Sequence, residues 1–206
     1  MYQMTEEVKR GSYKPLWWLI ALCAFPYIGG TLYYQYHGMF GQGETTNHGT
    51  LVSPVRELSG VELTMLDGSQ KPIEDFRRKW VMLYLLDGPC AEDCQKNLYF
   101  MRQVRKAMGQ DRFRISRLLI LDSPAQYTGS LEAFLQDYPG MEVATVQGGD
   151  RSRLAQILAT PDGAQTARKI MLVDPLGNYM MRYPEEPDPK LFLKDVKRLL
   201  SVSRIG

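Results

Sequence analysis

The stretch "WVMLYLLDGPCAEDCQKN", residues 80–97, holds both the fold question and the site question. Trp80 to Leu86 are continuously apolar, so both alternating faces are greasy, the pattern of a strand buried on both sides. Asp87-Gly88-Pro89 interrupts the run, and Cys90 and Cys94 follow. Beyond them Leu98, Met101, Val104, Arg105 and Met108 recur at spacings of three and four with Lys and Arg between, as in an amphipathic helix laid on a sheet that ends near Gly109.

Two thiols at the junction of a buried strand and a helix support several chemistries. On a helix, residues four apart share a face. A helix N-terminus stabilises a thiolate through its free N–H groups and dipole. The spacing satisfies the Cα separation of about 7 Å that a disulfide requires, so a reversible bridge is open to Cys90 and Cys94. A two-thiolate clamp for a soft ion such as copper(I) is equally open. The bland alternatives are inert buried thiols or a permanent bridge, but a loop this short constrains the unfolded chain very little. Glu92 and Asp93 favour the helix start and should raise the thiol pKa. Cys90, nearer the strand end, is expected to be the more exposed and the attacking sulfur.

The elements around this junction alternate. "LVSPVRELSGVELTMLDGSQ" gives two short strand-like pieces closed by the Asp67-Gly68 turn, and "PIEDFRRK" a short helix with Pro72 near its start. "RISRLLIL" is a second buried strand, "GSLEAFLQDYPG" a helix with Ser130 as N-cap, "MEVATV" a third strand and "DRSRLAQIL" a helix. "KIMLVD" and "NYMMRY" pair around Pro175-Leu176-Gly177-Asn178. Asp188 caps a final helix with Pro189 at its first position. This order predicts an α/β domain with a mixed central sheet flanked by helices.

The N-terminal region differs. No Lys, Arg, Asp or Glu occurs from Pro15 to Gly43. Its apolar heart, "LWWLIALCAFPYIGGTLYY" (16–34), would span roughly 28 Å as a helix, close to a bilayer core. Trp17 and Trp18 at one end and Tyr33, Tyr34 and Tyr36 at the other suit the membrane interface. No small-x-small cleavage site follows, and Leu22 precedes Cys23 where a lipoprotein signal needs a small residue. The expected organisation is a cytoplasmic segment 1–14, a transmembrane anchor 15–36, a linker 37–50 and a domain 51–206. Lys9, Arg10 and Lys14 place the N-terminus in the cytoplasm and the domain in the periplasm of a bacterial inner membrane, where disulfides persist. Cys23 is then an inert filler in lipid. The net charge of +2, from 25 basic and 23 acidic residues, argues against a nucleic-acid partner.

With these elements placed, "WVMLYLLDGPCAEDC", the register after it and "MLVDPLGNYMMRY" give the chain a resemblance to the Sco/SenC family over most of residues 50–200. These are membrane-anchored, thioredoxin-like proteins that help assemble the copper centres of cytochrome c oxidase. The resemblance implies a thioredoxin-like fold. It also implies that Cys90 and Cys94 are copper ligands, or a redox pair acting on copper-site cysteines, with an oxidase subunit or its copper chaperones as partners. One piece is missing: the family's histidine before the late hairpin has no counterpart in "AQTARKIMLVD", and the chain's two histidines are His37 and His48. Met171, Met180 and Met181 are the nearest other soft donors and read as core. Thiol–disulfide exchange needs no histidine. The expectation is therefore an exchange factor, with copper(I) carriage by two thiolates and a non-catalytic scaffold as alternatives. A thioredoxin proper would have two residues between its cysteines, and a thiol peroxidase a Thr or Ser where Asp87 stands.

Overall fold

The computed structural model describes residues 14–40, 47–127, 129–160, 163, 166–203 and 205. The chain divides into two compact units, Met1–Thr46 and Asn47–Gly206.

The first unit contains one helix, α1 (Lys14–Phe40), with Pro26 inside it. Trp17, Trp18, Leu22, Phe25, Ile28 and Leu32 are all exposed. Thr31 donates its hydroxyl to the carbonyls of Tyr27 and Ile28, so its polar group is satisfied within the helix. Among the described residues no helix is long and apolar enough to cross a membrane. The segment expected to span is helical. The helix also runs past the expected boundary at residue 36, to Phe40.

The second unit is built on one eight-stranded sheet. Its strands are β1 (Thr50–Glu57), β2 (Glu62–Met65), β3 (Gln70–Pro72), β4 (Trp80–Leu86), β5 (Ile115–Leu121), β6 (Met141–Thr145), β7 (Ile170–Val173) and β8 (Asn178–Arg182), in the spatial order β1-β8-β7-β4-β5-β6-β2-β3. β4, β5 and β6 are parallel, and β7, β8 and β1 extend the sheet antiparallel on one side. On the other side β2 runs antiparallel to β6 and β3 to β2. The mixed sheet expected from the sequence is present.

β4 lies between β7 and β5, which explains its unbroken apolar run. Met82, Tyr84 and Leu86 point into a core shared with α2 (Glu92–Ala107), α3 (Gly129–Leu135) and α5 (Pro189–Val202). Val81 and Leu83 point into a second core completed by Leu154 and Leu158 of α4 (Gly148–Leu158). Alternation carries successive side chains to opposite faces, so a strand covered on both sides has no polar position.

Three local expectations are corrected. "PIEDFRRK" forms a single 3-10 turn, Ile73–Phe76. Arg78 has φ 71° and its N–H binds the Pro175 carbonyl, which ends the turn. Pro72 belongs to β3, a strand the sequence reading missed beyond the Asp67-Gly68 turn. Ser130 lies inside the first turn of α3, which starts at Gly129, and does not cap it.

Candidate functional site: a two-cysteine junction

β4 ends at Leu86, and its connection to α2 carries both cysteines. Asp87 leaves the sheet, Gly88 turns the chain at φ 72°, a conformation that glycine adopts without a Cβ penalty, and Pro89 follows. α2 begins at Glu92 with Ala91 as its N-cap, a residue with no side chain to accept from the first-turn N–H groups. Cys90 therefore lies just ahead of the helix, not on its first turn as the i, i+4 reading assumed; Cys94 is inside the helix. The sulfurs still converge. Cys90 and Cys94 are joined as a disulfide, with Cα atoms 5.2 Å apart. Cys94 is fully buried against the α2 core, whereas Cys90 is half-buried at its edge. The expected order of exposure is met.

The loop is held from outside by residues the sequence reading passed over. Arg168, two residues before β7, donates to the loop at four points. Its Nε reaches Asp87 Oδ1 at 2.9 Å and the Asp87 carbonyl at 3.3 Å. Its terminal nitrogens reach Asp93 Oδ2 at 3.3 Å and the Pro89 carbonyl at 3.1 Å. Its own N–H binds the Leu85 carbonyl, and its φ is 62°. Gln126 reaches the loop from the far side: its Nε2 donates to the Gly88 carbonyl at 2.9 Å, while its Oε1 accepts from the N–H groups of Asp122 and Ser123. The Gln126 signal was present, since "SPAQ" (123–126) has capping-box spacing. Nothing in local sequence marks Arg168, whose partners lie about eighty positions away.

Both acidic residues of the first turn have a cation: Lys96 is 2.9 Å from Glu92, and Arg168 is 3.3 Å from Asp93. Beneath the junction, Tyr84 is fully buried and burial pushes its phenol up, with Asn97 acting in the other direction. Asn97, one turn beyond Cys94, anchors the Glu185 carbonyl at 2.7 Å. On the α4 side of the loop a cavity of about 210 Å³ opens at the carboxyl ends of β4 and β5, lined by Leu85, Asp87, Leu121, Asp122, Arg151 and Leu154.

In the disulfide form the two sulfurs are bonded to each other and leave no free thiolate for copper(I); the reduced Cys90 and Cys94 would supply two. Among the described residues no group of three or more His, Cys, Asp or Glu side chains converges to hold a metal ion. Met171 and Met181 are core residues; Met180 packs partly buried against the core. The backbone N–H of His48 bonds Asp195 Oδ2 of α5. His37 falls in α1, where its side chain lies outside the described residues.

A parallel β4-β5-β6 core, an antiparallel β7-β8 hairpin and a cysteine pair between the central strand and a long helix define a thioredoxin-like domain. The chain belongs to the family described as transmembrane-like, thioredoxin-like, C-terminal domain, whose model matches residues 80–203. None of the curated proteins matches its sequence. Among solved structures it is similar in fold to ScoI from Bradyrhizobium japonicum with copper bound, at 20% identity and a TM-score of 0.51, covering 68% of this chain and 98% of that one. ScoI from Arabidopsis thaliana with copper bound matches at 16% identity and a TM-score of 0.57, covering 71% and 99%. BsSco, described with a disulfide switch and as a member of the Sco family of cytochrome c oxidase assembly proteins, matches at 16% identity and a TM-score of 0.51, covering 73% and 96%.

Proposed function

We propose that this protein is a Sco-like thiol–disulfide exchange factor that serves the assembly of the copper centre of cytochrome c oxidase. The observation that carries the reading is the Cys90–Cys94 pair, with one sulfur half-exposed and its partner sealed in the core. That asymmetry suits exchange, in which one sulfur meets the client and the other resolves the mixed disulfide. In the reduced protein the Cys90 thiolate attacks a disulfide between the client's copper-site cysteines. One client sulfur leaves as a thiolate and takes a proton. Cys94 then attacks Cys90, and the second client thiol is released. Two electrons pass to the client and the bridge seen here is regenerated; a dithiol reductant on the same side of the membrane restores the starting state. Copper is cargo of the client, and no step runs through it.

The solved relatives bound to copper and the disulfide switch of BsSco support this assignment. α1 serves as the anchor in a bacterial inner membrane, with the domain in the periplasm. Its support is the run of exposed apolar side chains, the aromatic residues near both ends and the internally satisfied Thr31. Anchoring raises the effective concentration of the domain at a client in the same bilayer.

The test has two arms. In cells, a Cys90→Ser, Cys94→Ser double variant should lose most oxidase copper-site assembly while the protein stays in the alkaline-washed membrane fraction. Full assembly with the double variant would leave a scaffold. In vitro, the full chain should show one two-electron midpoint in a glutathione titration. Stoichiometric copper(I) binding to the reduced chain that is lost with both thiols, without redox turnover, would make it a metallochaperone instead.

A further inference from the structure

Arg117 lies in β5 and its side chain is 2% exposed. Strand alternation with Ile115 and Leu119 turns it toward the α2 face. One terminal nitrogen donates to the Pro139 carbonyl at 2.7 Å. Its Nε and Nη1 are buried and have no partner. Two more arginines approach from α2. The Arg102 guanidinium stands 5.1 Å from the Tyr138 ring centroid, and its Nε is likewise buried and unpartnered. Arg105 donates from Nε to the Ile115 carbonyl at 3.0 Å. Burial first, then the positive charges of Arg105 and Arg102, hold Arg117 down to about 10. Among the described residues no carboxylate pairs with any of the three. Asp111, the sole acidic residue between 102 and 117, is paired with Arg114, and Asp137 beside Tyr138 is exposed.

A buried cation is tolerated when a counter-charge and acceptors complete it. Here the cations lie near one another, and the buried N–H groups of Arg117 at Nε and Nη1 and of Arg102 at Nε lack acceptors. We propose that Arg102, Arg105 and Arg117 form a binding site for a phosphate group, toward the amino ends of β4 and β5 and so away from the disulfide. Three guanidinium forks suit a tetrahedral oxyanion better than a carboxylate, because it offers more acceptor oxygens and a second negative charge. Arg102 and Arg105 are half-buried, and Lys106 and Arg112, both exposed, would draw an anion toward them. The phosphate is either free in solution or the headgroup of an anionic phospholipid.

The experiment is thermal unfolding of the full chain in neutral detergent micelles. One arm adds inorganic phosphate, a second places phosphatidylglycerol in the micelle, and a control matches ionic strength with chloride. The expected result is a saturable rise of the midpoint in one arm, roughly 5–10 °C at about a hundredfold excess over Kd. The rise should be absent in Arg117→Met and in the Arg102→Gln, Arg105→Gln double variant. The double variant alters only half-buried positions and keeps the test sound if Arg117→Met fails to fold. A rise with phosphate alone assigns the free anion, and a rise with lipid alone assigns the headgroup. No rise beyond chloride, or an equal rise in the double variant, overturns the site.

Discussion

Arg168 shows how one side chain ties down the loop that carries Cys90. It pays a backbone penalty for a left-handed φ, about 1 kcal/mol for a residue with a Cβ, and in return ties Asp87, Pro89 and Asp93 to the start of β7. The ion pairs are partly exposed, so screening limits them to about 1 kcal/mol together. These two contributions can be separated. Arg168→Ala loses the guanidinium and keeps the strained φ, whereas Arg168→Gly loses the guanidinium and relieves it. The glycine variant should be the more stable of the two by about 1 kcal/mol, read from denaturant midpoints. Both variants should let dithiothreitol reduce the Cys90–Cys94 bridge faster than wild type. Unchanged reduction kinetics in both would show that the guanidinium does not hold the loop. The positions of Cys90 and Cys94 at a strand–helix junction were legible in sequence, because an apolar run, a Gly-Pro break and a helical period are local signals. The clamp was not, because a guanidinium has no local periodicity and its partners come from another part of the chain.

At the scale of elements, helix ends and strand periods were read well where the determinant is chemical and nearby. Asp188 accepts from the N–H groups of Lys190 and Leu191 at 2.7 and 3.3 Å and opens α5 with Pro189 at its first turn, as expected. Asp188→Ala should cost about 1 kcal/mol in unfolding free energy, with Asp188→Ser close to wild type in urea denaturation; equal loss in both would mean that the cap is not the source. α5 supplies Phe192, Val196 and Leu200 to the α2 core, so fraying its first turn loosens the same core that seals Cys94. The readings that failed were short. The 3-10 turn at Ile73–Phe76 and strand β3 contain too few residues for a period to emerge, and they exist because Ile73 and Phe76 are buried in the α4-side core. Arg117 escaped notice for the opposite reason: within "RISRLLIL" a single basic residue does not alter a strand assignment, and its burial depends on α2 covering it.

At the scale of the whole domain, the chain's entry is fastened to its end. Asp195 of α5, 3% exposed, accepts from the N–H groups of His48 and Gly49, each at 2.9 Å, and from the Tyr183 hydroxyl at 3.3 Å. A side chain at Gly49 would run into Met181. Tyr183 is pushed well above its ordinary 10.0, first by burial and then by the Asp195 charge. In the folded protein it therefore keeps its proton at a pH where the unfolded phenol has lost it. Its contribution to stability is complete below pH 10 and falls as pH rises beyond that. Tyr183→Phe should flatten the alkaline limb of the stability curve by up to about 1.4 kcal/mol per pH unit. It should also cost about 1 kcal/mol at neutral pH for the lost hydrogen bond. An alkaline slope identical to wild type would assign the sensitivity to Tyr84, which burial also raises.

By itself the sequence determined the alternation of elements, the doubly buried central strand and the two sulfurs at its end, because each depends on the order of apolar and polar residues along a few turns or a few pleats. Tertiary structure alone decided that Arg168 and Gln126 brace the loop between them, and that, among the described residues, Arg102, Arg105 and Arg117 lie near one another with no paired carboxylate. These features arise from groups that are distant in the chain and brought together by packing, and burial and hydrogen-bond satisfaction exist only once the sheet has both its faces covered.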